Sequence, residues 1–160
     1  MTDLEGLFLA SSVRLRAAAR PGRKIMVVEE KRELSEIFNH VLNNHPTYEV
    51  ESVRDHLLVF KRLAETCNDF ALVCLDINEG GNEELHLLDW IREQHPLLPL
   101  FIITEKMTVV TRVRQRYPEI PILMKGLGGS RGESLMDVMR GLFGLNSKGV
   151  SNQSGKADAQ

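Results

Sequence analysis

Cysteine is nearly missing from this 160-residue chain: the two present, Cys67 and Cys74, lack CxxC spacing and have no histidine arranged beside them. Neither a disulfide scaffold nor a zinc knuckle is expected, and a reducing, cytoplasmic setting is the default. Long apolar runs are missing too. None reaches the roughly 18–20 residues that cross a bilayer, which excludes a membrane-spanning helix. Charge of one sign is not in excess, since 20 basic and 22 acidic residues leave -2. No whole-chain field gathers nucleic acid, and direct nucleic-acid contact is not expected. No basic stretch precedes Leu4, Leu7, Phe8 and Leu9, so a secretory signal is not expected either. The five histidines, His40, His45, His56, His86 and His95, form no HExxH or close pair and read as exposed helix positions. No internal repeat is visible. What remains, 42% hydrophobic and 26% charged residues, suits one soluble domain with a real core.

Three segments divide the chain. Residues 1–22 form an N-terminal extension whose Arg14, Arg16 and Arg20, with Arg23 and Lys24, make a small basic stretch. It reads as a solvated helix or tail ahead of the fold, with a partner-binding arm as the alternative. Pro21-Gly22 marks its end. Residues 146–160 are polar, small and aperiodic, and read as a disordered tail or linker.

Residues 23–145 alternate short apolar runs with helix-period stripes. Lys24–Val28, Tyr48–Val53, Phe70–Leu75, Leu100–Ile103 and Ile120–Met124 read as strands. Between them lie stripes for amphipathic helices: Leu34, Ile37, Phe38, Val41 and Leu42; then Val53, Leu57, Phe60 and Ala64; then Leu85, Leu88 and Ile91; then Val109, Val110, Val113 and Tyr117. Leu135, Val138, Met139, Leu142 and Phe143 give a last one. Trp90 reads as packing on the third helix. FALVCL, apolar throughout, suits a central parallel strand covered on both faces. Five β-α units with short connections imply an α/β doubly wound parallel sheet. Its functional crevice lies at the carboxyl ends of the strands.

Those ends carry Glu29 and Glu30, Asp76, Thr104 and Lys125. Carboxylates, a hydroxyl and an ammonium on one rim are what phosphoryl transfer to a carboxylate needs. A hard cation such as Mg²⁺ takes oxygen ligands and lets two anions approach. Aspartate is an established nucleophile for an acyl phosphate. The hydroxyl and the ammonium then bind the phosphoryl oxygens.

Over about Arg23 to Leu145 the chain resembles the receiver domain of two-component response regulators. The resemblance rests on IMVVEEKREL, LVCLDIN, LFIIT and ILMKG. It implies a flavodoxin-like (βα)5 fold with strand order 2-1-3-4-5. It implies Asp76 as phosphoacceptor, with Glu29, Glu30, Asp76 and the backbone carbonyl of Asn78 as Mg²⁺ ligands, and Thr104 and Lys125 as the switch pair. The activity implied is acceptance of a phosphoryl group from a sensor histidine kinase or phosphotransfer protein. Signalling would pass by protein contact, to a downstream partner or a second copy, through the face of the fourth helix, fifth strand and fifth helix. Lys106, Arg112, Arg114 and Arg116 make that fourth helix basic. The domain is not expected to be an enzyme beyond slow autodephosphorylation.

Several residues depart from the family's pattern. Glu29-Glu30 stands where the second residue is usually Asp, and the extra methylene carries each carboxylate further into the site. Glu105 follows Thr104 in place of a small residue, and Gly126 follows Lys125 in place of proline. Ile122 stands near the place of the family's switch aromatic, and Glu79-Gly80 replaces Met-Pro. The alternative is a pseudo-receiver, an interaction module read without phosphorylation. A third reading, nucleotide binding at the glycine-rich loop Gly126–Gly132, is weakened by its lack of a GK[ST] ending and its place after the last strand.

Overall fold

Strand β3 (Phe70–Ile77) is the axis of the molecule, because its apolar side chains must be covered on both faces. The computed structural model describes residues 12–42, 47–78, 82–124 and 139–140. Around β3 lie β1 (Lys24–Val28), β2 (Glu49–Val53), β4 (Leu100–Thr104) and β5 (Ile122–Met124). They pair in parallel in the order β2-β1-β3-β4-β5, the doubly wound sheet expected. The connecting helices are α1 (Glu33–Val41), α2 (His56–Thr66), α3 (Asn82–Gln94) and α4 (Met107–Arg116). A 3-10 turn, Cys67–Asp69, leads into β3.

Two buried clusters sandwich the sheet. Leu34, Phe38 and Val41 of α1 pack with Ile25, Val27, Leu72 and Phe101 on one face. Val59 and Leu63 of α2, Leu85, Leu88 and Ile91 of α3, and Val109 and Val113 of α4 cover the other with Met26, Val73 and Ile102. Each large side chain so removed from water contributes on the order of 1.5–3 kcal/mol. Trp90 packs edge-on against Phe60 with ring centroids 4.6 Å apart, as its packing role requires. Asp89 of α3 accepts hydrogen bonds from Arg116 and the Tyr117 hydroxyl, fixing the end of α4 to α3. Burial first, and the Asp89 carboxylate second, push the Tyr117 phenol up to about 12.

Two expectations change. The inner stripe of α2 is Val59 and Leu63, whereas Leu57 is 73% exposed and Ala64 lies outside. The run Leu57-Leu58-Val59-Phe60 offers two overlapping stripes, and the strand end at Val53 decides between them by setting where the helix begins. The second change concerns the extension, which is not solvated throughout. Residues 12–19 form a helix, the leader helix, with Val13 (0% exposed) and Ala17 (3%) in the cluster beneath α1. An i, i+4 apolar pair seats it, while Arg14 and Arg16 are half-buried, with the Arg16 Nε inside the fold. Arg20 donates to the carbonyls of Phe70 (2.8 Å) and Cys67 (3.2 Å), tying the end of the leader to the 3-10 turn.

Met139 and Arg140 are helical, and Met139 is buried beside α1. The rest of the expected last helix, the loop 126–132, the tail 146–160 and His45 lie outside the described residues. Among the described residues, no helix is long and apolar enough to cross a membrane.

On the edge strand, Glu51 takes a two-pronged hydrogen bond from Arg62 of α2 at 2.6 and 2.7 Å, with Lys24 at 3.6 Å. The Arg62 hydrogen bonds hold the Glu51 carboxyl below its usual range against the opposing effect of burial. A lowered folded-state pKa adds stability above the unfolded value, and that stability disappears as pH falls through the folded one. Glu51→Gln should therefore lower the urea midpoint at pH 7 by an amount worth about 1 kcal/mol. The gap to the parent should close below about pH 4. A gap independent of pH would refute the charge contribution.

Candidate functional site

At the carboxyl ends of β1, β2 and β3 opens a cleft of about 930 Å³. Asp76, near the end of β3, is half-buried in its wall, and Asn78 follows just beyond the strand. Glu30 is exposed at the end of β1 and lines the same cleft. Three of the expected residues therefore meet in one hollow.

Glu29 lines the cleft as well, but its carboxylate is engaged elsewhere. Only 4% exposed, it accepts from the backbone amides of Leu34 and Ser35, both at 2.7 Å. These are orphan amides of the first turn of α1, and Arg32, at the helix start, supplies no side-chain cap. A carboxylate there satisfies two buried donors and complements the positive end of the helix.

Thr104 closes β4 with its side chain fully buried, and its Oγ1 accepts from the Lys106 amide at 3.0 Å. In the β3–β4 register it pairs with Ile77, whereas Asp76 pairs with Ile103. Side chains alternate between faces along a strand, so Thr104 shares the face of Ile77 and does not line the cleft. Glu105 is exposed and is likewise absent from the cleft walls. Lys125 lies outside the described residues.

The remaining walls come from β2, α2 and α3: Arg54, Asp55, His56, Leu57 and Phe60, then Glu83, Glu84 and His86. Asp55 caps α2 by accepting from the Leu57 amide at 2.9 Å. His56 faces Glu83 across the cleft mouth, Nδ1 to Oε1 3.7 Å, with Glu83 87% exposed. The strand-end rule that finds Asp76 also finds Arg54-Asp55-His56 once it is applied to β2. His86 stands three residues beyond Glu83 on α3, one helical turn on the same side.

A divalent cation is what this type of site implies, and the residues present fit one. Glu30, Asp76 and the Asn78 carbonyl are hard oxygen donors on one cleft, and Mg²⁺ is commonly held by one or two carboxylates with water completing its shell. Among the described residues, no three His, Cys, Asp or Glu side chains form a group that could hold a metal ion, so such an ion would rest on two carboxylates, the Asn78 carbonyl and water.

Several of the solved structures this chain resembles are receiver domains. One is a response regulator receiver domain from Clostridium thermocellum, 16% identical, covering 76% of this chain and 94% of its own, with a TM-score of 0.56. The chain has the receiver fold. A CheY-like receiver protein from Methanospirillum hungatei is 17% identical over 74% of this chain and 91% of its own, TM-score 0.56. The Mn²⁺-bound form of response regulator Rcp1 is 22% identical over 76% and 90%, TM-score 0.55. No protein-family model matches the sequence, and no curated protein matches it.

Proposed function

We infer that the chain is a receiver domain of two-component signalling, with Asp76 as phosphoacceptor. The observation carrying this is the juxtaposition of Asp76, Glu30 and Asn78 in one cleft at the end of the central strand. In the step proposed, an Asp76 carboxylate oxygen forms the new O–P bond while the N–P bond of a donor phosphohistidine breaks. The electron pair of that bond stays with the imidazole, which then takes up a proton. Glu30, Asp76 and the Asn78 carbonyl would hold a Mg²⁺ ion, whose charge would offset the repulsion between the two anions. Thr104 keeps its hydroxyl proton while it accepts from Lys106. From the face of Ile77 its expected contact with the phosphoryl oxygens requires the end of β4 to move, and Lys125 is the other expected ligand.

The partners on this reading are a sensor histidine kinase or phosphotransfer protein upstream. Downstream stands a protein or a second copy at the face of α4 and β5. Lys106, Arg112, Arg114 and Arg116 make α4 and its approach basic, with Arg116 bonded to Asp89.

The pseudo-receiver reading has its own support. Glu29 is fully engaged as a helix cap, and Thr104 stands off the cleft walls. Titrating Mg²⁺ and then beryllofluoride while recording backbone amide shifts separates the two. Shifts centred on Glu30, Asp76 and Asn78 that disappear in Asp76→Asn are expected. A spectrum that does not move favours the module read without phosphorylation.

A further inference from the structure

Helix α1 has no cap of its own and borrows one from β1. The Glu29 carboxylate holds the amides of Leu34 and Ser35, so the first turn of α1 is fastened to a residue that also lines the cleft. The inner face of α1, Leu34, Phe38 and Val41, lies in the same buried cluster as Val13 and Ala17. The C-terminal end of the leader helix is tied down. Beyond its last turn, Arg20 is bonded to the Phe70 and Cys67 carbonyls, and Gly22 lies against the backbone of Asn68 and Asp69. Within 12–19, only Val13 and Ala17 are buried. The helix is thus tied at its C-terminal end and seated by two side chains in a cluster shared with α1.

We propose that Glu29 is a clamp that passes the state of the cleft to the leader helix. A cation beside Glu30 and Asp76 competes with two amides for the Glu29 carboxylate. When the carboxylate leaves, two buried donors lose their acceptor and the first turn of α1 loosens. The seat of Val13 and Ala17 loosens with it, and the leader helix opens locally while the sheet stays intact. The clamp stands on this geometry alone; its control by the cleft rests on the signalling function inferred above.

Amide hydrogen exchange on the full chain tests both parts. Glu29→Gln keeps one oxygen acceptor and removes the other. It should speed exchange at Leu34, Ser35 and residues 12–19 by about tenfold, leaving the interior of α3 unchanged. Coupling is reciprocal, so Val13→Ala should speed exchange at Leu34 and Ser35. This second variant leaves the cap untouched and serves if Glu29→Gln folds poorly. Mg²⁺ with beryllofluoride should speed the same amides in the parent protein.

Faster Leu34 and Ser35 with an unchanged leader in Glu29→Gln would overturn the coupling, as would uniform acceleration that includes α3. Variants that couple as expected, with a parent whose amides ignore Mg²⁺ and beryllofluoride, would leave the clamp standing and remove the signalling function beneath it. Shifts at Asp76 without any change at Leu34 and Ser35 would do the reverse, keeping that function and overturning its transmission through Glu29.

Discussion

Gly22→Ala should lower stability by about 2–3 kcal/mol, a fall of several degrees in melting temperature for a chain of this size. A Cβ built on Gly22 would stand 2.2 Å from the carbonyl carbon of Asp69 and 2.3 Å from the oxygens of Asn68 and Asp69. These are backbone atoms, with no rotamer to turn aside. Neither partner is free to retreat. The 3-10 turn is held by Arg20 on one side and runs straight into Phe70 of β3 on the other. Next to Gly22, the Arg23 carbonyl accepts from the Glu49 amide at 2.9 Å, tying the approach to β1 against β2. Relief must come from shifting the start of the central strand or from lifting the leader off its cluster. Thermal and urea unfolding of the variant measure the cost, and a change within about 0.5 kcal/mol would show that the contact yields.

The same glycine marks the limit of what is legible in the residues. Pro21-Gly22 reads as punctuation, which is correct but incomplete, because the need for a missing Cβ comes from Asn68 and Asp69, distant in sequence. The strands are legible since their signal is local. FALVCL is a run of strand length apolar on both faces, and Leu85, Leu88 and Ile91 repeat at a helical period. Where two stripes overlap, as in α2, the period alone does not choose. The leader is harder still, because its apolar pair is diluted by Arg14, Arg16 and Arg20, and composition argues for solvent while packing argues for the core. In the cleft, Asp76, Glu30 and Asn78 are placed by the rule that sites gather at strand ends. That rule names the rim and says nothing about direction. It does not reveal that Glu29 turns to α1 or that Thr104 shares the face of Ile77, since both depend on register and on where the next helix begins.

Direction is also why the length of the Glu29 side chain matters, and Glu29→Asp should show it. With Asp in its place the charge remains and one methylene is lost, which withdraws the carboxylate by roughly an ångström. Two amides now accepted at 2.7 Å would fall outside good hydrogen-bond distance, leaving buried donors on the first turn of α1. The residue is only 4% exposed, so water replaces the lost acceptor poorly. A cost of about 2–3 kcal/mol is expected, combining unsatisfied donors with a carboxylate drawn back from the positive end of the helix. Glu30→Asp shortens the neighbouring residue by the same amount, yet it should stay within about 0.5 kcal/mol of the parent, because Glu30 is exposed. The longer acid at position 29, which from the sequence alone reads as crowding a metal site, is on this account what lets β1 reach the helix. Equal losses in the two variants, measured as urea midpoints at pH 7, would show that Glu29 gives α1 no special support.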